Sequence, residues 1–98
     1  MIARVWKGYA TPEKAPLYLQ HLRHNVFPEL DQIDGFRGAN VLQREEDDNM
    51  EFIVTTYWQS MDSIDYFVDS GAEVGVAAQT FVYSYDAHIR VYDVALQK

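Results

Sequence analysis

Arg4, Trp6 and Gly8 alternate along an opening run rich in Ile, Val, Trp and Tyr, so in an extended strand they share one face. Ala3, Val5 and Lys7 fall on the other, and the small Ala3 and Val5 suit close packing under helices. Arg4 and Trp6 would then point away from the helices, toward a barrel interior or a cleft between two copies. Near the other end, the same alternation groups His88, Arg90, Tyr92 and Val94. If the first and last strands are neighbours, Arg4, Trp6, His88 and Arg90 line one cavity. An indole offers a flat face for stacking, and a guanidinium stabilises a phenolate or carboxylate through charge-assisted hydrogen bonds. A histidine with an ordinary pKa of about 6.5 can take a phenolic proton. The alternative is that Arg4 and Arg90 pair with acidic residues across an interface while His88 occupies a sheet edge. Tyr83 and Tyr85 either cap the mouth of such a pocket or simply pack.

Other constellations are weaker. His21 and His24 lie three apart and could share a helix face, but a metal would need a further ligand such as Glu29 or Asp31. His24 keeps a route to the cavity as an acid or base. The run Glu45-Glu46-Asp47-Asp48-Asn49 reads as a solvated loop tip rather than a cation site. The chain has no cysteine, which excludes disulfides, thiolate metal sites and cysteine nucleophiles. No Ser-His-Asp spacing, phosphate loop or dinucleotide fingerprint is present. Neither a metal nor a cofactor is expected. A formal charge of −7 argues against nucleic acid, and no basic cluster suits an anionic membrane.

The elements that must position these residues follow from pattern. Met1 to Tyr9 reads as a strand. Thr11-Pro12 opens a helix with Ala15, Leu19, Leu22 and Val26 on one face, regular from about Ala15 because Pro16 lacks an amide, and ending near Pro28. A strand from about Arg37 to Arg44 and another from Glu51 to Trp58 flank the acidic tip. The second does not alternate cleanly, so both its faces should be covered. Ser60 caps a second helix with Met61, Ile64, Phe67 and Val68 as its stripe. Ser70-Gly71-Ala72-Glu73 fits a capping box before a short helix from Ala72 to Gln79. Ala87 to Ala95 closes the chain as a strand.

The order strand, helix, strand, strand, helix, strand is the ferredoxin-like, α+β pattern: an antiparallel sheet with both helices on one face. Ninety-eight residues suit one domain spanning 1–98. With 48% hydrophobic and 14% aromatic residues, so small a fold has apolar surface to spare, and a homodimer paired through the free sheet face is the economical way to hide it. Met1-Ile2-Ala3-Arg4 enters strand-forming sequence at once, without a signal-peptide layout, and no run approaches the ~20 apolar residues of a membrane span. A soluble cytoplasmic protein is expected.

From Met1-Ile2-Ala3-Arg4-Val5-Trp6 to Val91-Tyr92-Asp93-Val94 the chain resembles the antibiotic biosynthesis monooxygenase superfamily of dimeric α/β-barrel proteins. The most telling segment is Thr56 to Phe67, with a strand-end tryptophan (Trp58), a following serine (Ser60) and an amphipathic helix. The resemblance brings Trp58 into consideration as a substrate contact, although its ring could equally wedge strand against helix. The haem-degrading branch, as the resemblance implies, uses an asparagine on the first strand with a tryptophan and a histidine near the second helix. This chain carries Trp6 or Val5, Phe67 and Ala77 there, so haem degradation is not expected. The oxygenase branch often has an asparagine four residues before the strand-end tryptophan, where this chain has Val54. The resemblance therefore implies a cofactor-independent monooxygenase for a small aromatic or quinol-type molecule. Arg4, His88 and His24 are its candidate catalytic groups, and Trp6, Arg90, Trp58 and Tyr83 its candidate substrate contacts. A non-catalytic ligand-binding or stress-related dimer is the alternative, as is a non-oxidative isomerase or cyclase on the same barrel.

Overall fold

The computed structural model describes residues 1–86 and 89–98. Strand β1 (Ile2–Ala10) runs through the middle of a five-stranded sheet and is antiparallel to every strand it touches. On one edge it pairs with β3 (Asn49–Trp58), which pairs in turn with β2 (Phe36–Glu46). On the other edge lie two short strands, β4 (Ser84–Tyr85) beside Gly8 and Tyr9, and β5 (Arg90–Asp93) beside Ile2 to Val5. The last strand expected over 87–95 is thus shorter than its sequence pattern, with β4 a separate piece before it. The β2–β3 hairpin turns on Asp47 and Asp48, both with positive φ (48° and 65°). Such a two-residue turn matches strand twist, so both strands run further into the acidic tip than their apolar residues indicate.

Helix α1 (Ala15–His21) starts where Pro16 is harmless, in a first turn whose amides need no partner. The helix does not stop at Pro28. It widens through a π turn (Leu22–Val26), in which the Phe27 amide bonds the Leu22 carbonyl, and continues as α2 (Phe27–Leu30). Pro28 then occupies the opening of a new α segment, where its missing N–H leaves no gap. Helix α3 (Met61–Asp69) is capped by Ser60, whose Oγ accepts from the Ser63 amide at 3.3 Å. Ile64 and Phe67 are buried, whereas Met61 and Val68, expected in the same stripe, are exposed. The capping box at Ser70 does not form as such. Glu73 turns elsewhere, and only a 3-10 turn (Ala72–Gly75) follows, entered through Gly71 at φ 82°.

Both helical segments cover the same side of the sheet. Their buried residues Tyr18, Leu22, Val26, Ile64 and Phe67 form one core with Trp6, Phe52, Val54 and Trp58. The strand faces are therefore the reverse of the expected ones: Arg4, Trp6, Gly8 and Ala10 are buried under the helices, and Val5, Lys7 and Tyr9 face the open side. The small residues that admit the helices are Gly8 and Ala10, which leave room on that face for the indole of Trp6. On the open side Leu42 pairs with Ile53, which faces Lys7 on β1, and Val5 and Tyr57 lie further along the same face. Leu42 is exposed, while Ile53, Val5 and Tyr57 are half-buried.

Candidate functional site

A cavity of about 410 Å³ opens between the helix face of β1 and the segment that follows α3. Arg4 and Trp6 form its floor, Glu73 and Val76 to Ala78 one wall, and Tyr85 and Ile89 the opposite one. Small-molecule sites occupy about 300–1,000 Å³ and are mostly apolar with a few convergent polar groups, as here.

Each lining residue has an identifiable support. The indole of Trp6 lies over Gly8 and is flanked by Tyr18 and Tyr85, each with ring centroids 6.2 Å away. The Tyr18 hydroxyl donates to the Val76 carbonyl and so ties α1 to the cavity wall. Burial pushes the Tyr18 phenol well above its ordinary ionisation range. His21 holds the neighbouring Gly75 carbonyl at 2.9 Å. Arg4 is 5% exposed, lies 5.2 Å from the centroid of the Phe67 ring and donates through Nη2 to the Glu73 carboxylate. Burial presses its pKa down, and the adjacent Glu73 charge and hydrogen bond work against that shift. Trp6 Nε1 is sealed from solvent and has no hydrogen-bond partner, unlike any other buried side-chain polar atom among the described residues. Such an orphan costs about 1–3 kcal/mol.

The candidate residues separate accordingly. Arg4 and Trp6 come together in the cavity. Arg90 does not join them. It pairs with Val5 across β1 and β5, so it belongs to the opposite, open face, where it is exposed. His24 is exposed on the outer side of the helix, where with His21, Leu17 and Phe81 it borders a shallow groove. Tyr83 is 58% exposed and contributes its amide to the Tyr9 carbonyl, while Tyr85 enters the cavity. Trp58 is fully buried against Phe36 and Phe67, at 5.3 and 5.1 Å, and its Nε1 donates to Thr56 Oγ1 at 2.8 Å. It therefore wedges strand against helix and is not among the described residues that line the Arg4–Trp6 cavity. His88 lies outside the described residues. Glu73 is the charged lining residue that the sequence did not reveal, because its place in the Ser70 capping-box pattern gave it a local role.

An antiparallel sheet with helices on one face and a cavity between the two layers defines a ferredoxin-like α+β protein. A family model for antibiotic biosynthesis monooxygenases matches residues 1–78, and the chain belongs to that family. The matched span includes Arg4, Trp6 and Glu73 and ends before Tyr85. No curated protein matches the sequence. Among solved structures, the chain is similar to a mutant form of SnoaB, a cofactor-independent oxygenase from Streptomyces nogalater. The two share 11% identity, with a TM-score of 0.75 over 98% of this chain and 94% of that one. It is also similar to the heme-degrader MhuD from Mycobacterium tuberculosis, with two hemes bound in its active site (17% identity, TM-score 0.69, 100% and 99% coverage). A protein of unknown function from Nitrosomonas europaea gives 15% identity, a TM-score of 0.73 and coverage of 99% and 91%. These likenesses are of fold. The described lining offers no imidazole, thiolate or thioether to a haem iron, and at position 77 it presents an alanine. Among the described lining residues, the group of a kind that ligates haem iron is the Tyr85 phenol.

Proposed function

We propose that the chain is a cofactor-independent monooxygenase whose Arg4–Trp6 cavity takes a small aromatic, phenol- or anthrone-like molecule. The observation that carries this reading is a buried guanidinium beside an indole in a mostly apolar cavity. The substrate ring packs against Trp6, Val76 and Tyr85, and Arg4 stabilises the oxyanion formed when the substrate loses a proton. A reduced, deprotonated anthrone passes one electron to dioxygen. The resulting radicals recombine to a hydroperoxide, which loses water to give the quinone. One dioxygen and a ring methylene thus become a carbonyl and a water, and the protein binds, favours the anion and excludes bulk solvent. Anthrones offered with isotopically labelled dioxygen should yield quinone carrying one labelled oxygen in proportion to protein concentration. Label arriving from water, or conversion no faster than without protein, contradicts the reading.

A homodimer paired through the open sheet face belongs to the same proposal. The apolar residues Leu42, Ile53, Val5 and Tyr57 on that face support it, since one face of so small a domain otherwise stays wet. A non-catalytic ligand-binding role is favoured by one feature. Val54, at the position where the oxygenase branch often has an asparagine, is buried opposite Trp6 and adds no polar group to the cavity. That role predicts aromatic binding without oxygen consumption.

A further inference from the structure

Arg4 and Glu73 meet in the cavity from elements 69 positions apart in the chain, and they differ in freedom. The Arg4 side chain is 6% exposed and held against Phe67, whereas that of Glu73 is 33% exposed on a short turn. The cation is buried, and its counter-ion reaches solvent. We propose that the pair is a proton-exchange site that selects neutral, acidic O–H compounds, with Glu73 as the base. This deepens the reading of the cavity as a small-aromatic site and rests on it.

The argument is one of charge balance. A ligand that arrives as an anion places two negative charges on one buried cation, and their repulsion is stronger beside that buried group than in open water. A neutral phenol or enol avoids it. Its O–H bond breaks, the proton forms a carboxyl O–H on Glu73, and the phenolate oxygen replaces the carboxylate as the partner of Arg4. No electron changes hands and the cavity's net charge is unchanged. Tyr85 of β4 shares the cavity lining, while His21 and Tyr18 of α1 engage the carbonyls of Gly75 and Val76. Among the described residues, Phe67 of α3 lies against Arg4, and Ile89 shares the cavity lining.

Calorimetric titration of the full chain with 4-nitrophenol and 4-nitrobenzoate, in buffers of different ionisation heat, tests this directly. The pH is set mildly acidic, where the free phenol is neutral and colourless and the benzoate is ionised. Wild type should bind 4-nitrophenol as its yellow phenolate with no net proton exchanged, and 4-nitrobenzoate roughly tenfold more weakly with uptake of about one proton. In Glu73→Gln, 4-nitrobenzoate should tighten by roughly tenfold without proton uptake, and 4-nitrophenol should release about one proton to buffer. Equal wild-type affinities with no proton uptake by the benzoate would overturn the exchange, as would proton counts unmoved by Glu73→Gln. Failure of both ligands to bind wild type would overturn the small-aromatic reading together with it.

Discussion

The indole of Trp6 occupies the space that a side chain on Gly8 would need: a Cβ built there would come 2.2 Å from the ring carbon Cη2 and 2.7 Å from Cζ2. Tyr18 and Tyr85 flank the ring, so it cannot simply swing aside. Gly8→Ala should therefore cost about 1–3 kcal/mol in denaturant unfolding, as overpacking does, and weaken aromatic binding in the cavity. Full stability with unchanged binding would mean that the ring is not held over Gly8.

Trp58 should behave differently from Trp6. Its N–H is satisfied by Thr56 Oγ1 in the core, and neither residue is among those lining the cavity. Thr56→Val leaves that donor unpaired and should cost about 1–3 kcal/mol in stability. Ligand affinity, measured by titration below the variant's melting range, should stay at the wild-type value. A selective loss of binding would return Trp58 to the site.

Tyr18 links α1 to the cavity wall, and Tyr18→Phe should cost about 0.5–1.5 kcal/mol at neutral pH by removing its bond to the Val76 carbonyl. Burial also raises its pKa, so the native state keeps a proton that the unfolded chain gives up. The contribution is complete below the unfolded value of about 10 and is lost as pH rises beyond it. Melting temperatures of wild type should fall more steeply than those of Tyr18→Phe in that alkaline window. Parallel curves would show that the phenol is not sheltered.

The open sheet face gives a fourth test. Glu51, held below the usual carboxylate range chiefly by its hydrogen bond from Arg44, lies beside the Leu42–Ile53 pair. Leu42→Glu would add a further negative charge to that surface. Sedimentation should find wild type as a dimer and this variant as a folded monomer. A wild-type monomer, or a variant that still pairs, contradicts association through this face.

Pattern carried far in this chain. Strand alternation put Arg4, Trp6 and Gly8 on one face, and Ser60 marked the start of α3. Which face met the helices was not legible, because Ala3 and Val5 look as suitable for close packing as Gly8 and Ala10. The deciding fact is a tertiary one, the fit of a large ring over a glycine. Arg90 was misassigned for a related reason: alternation fixes which residues go together, but only the pairing register, Arg90 with Val5, fixes the side. Glu73 followed a valid local rule that lost to a buried cation distant in sequence. Pro28 marked a true break in α-helical bonding, which the chain absorbed with a π turn rather than by ending the helix.

Oxygen uptake with no added cofactor, in the presence of chelator, tests the central claim most directly when wild type is compared with Ala77→Phe. Ala77 lines the cavity, and the larger side chain should fill much of it. Across a panel of quinols, anthrones and polyphenols, wild type should consume oxygen in proportion to its concentration with at least one compound. Ala77→Phe, folded and dimeric, should lose most of that activity. Equal uptake by the two proteins would put the chemistry elsewhere, and no uptake by wild type would contradict the oxygenase reading itself.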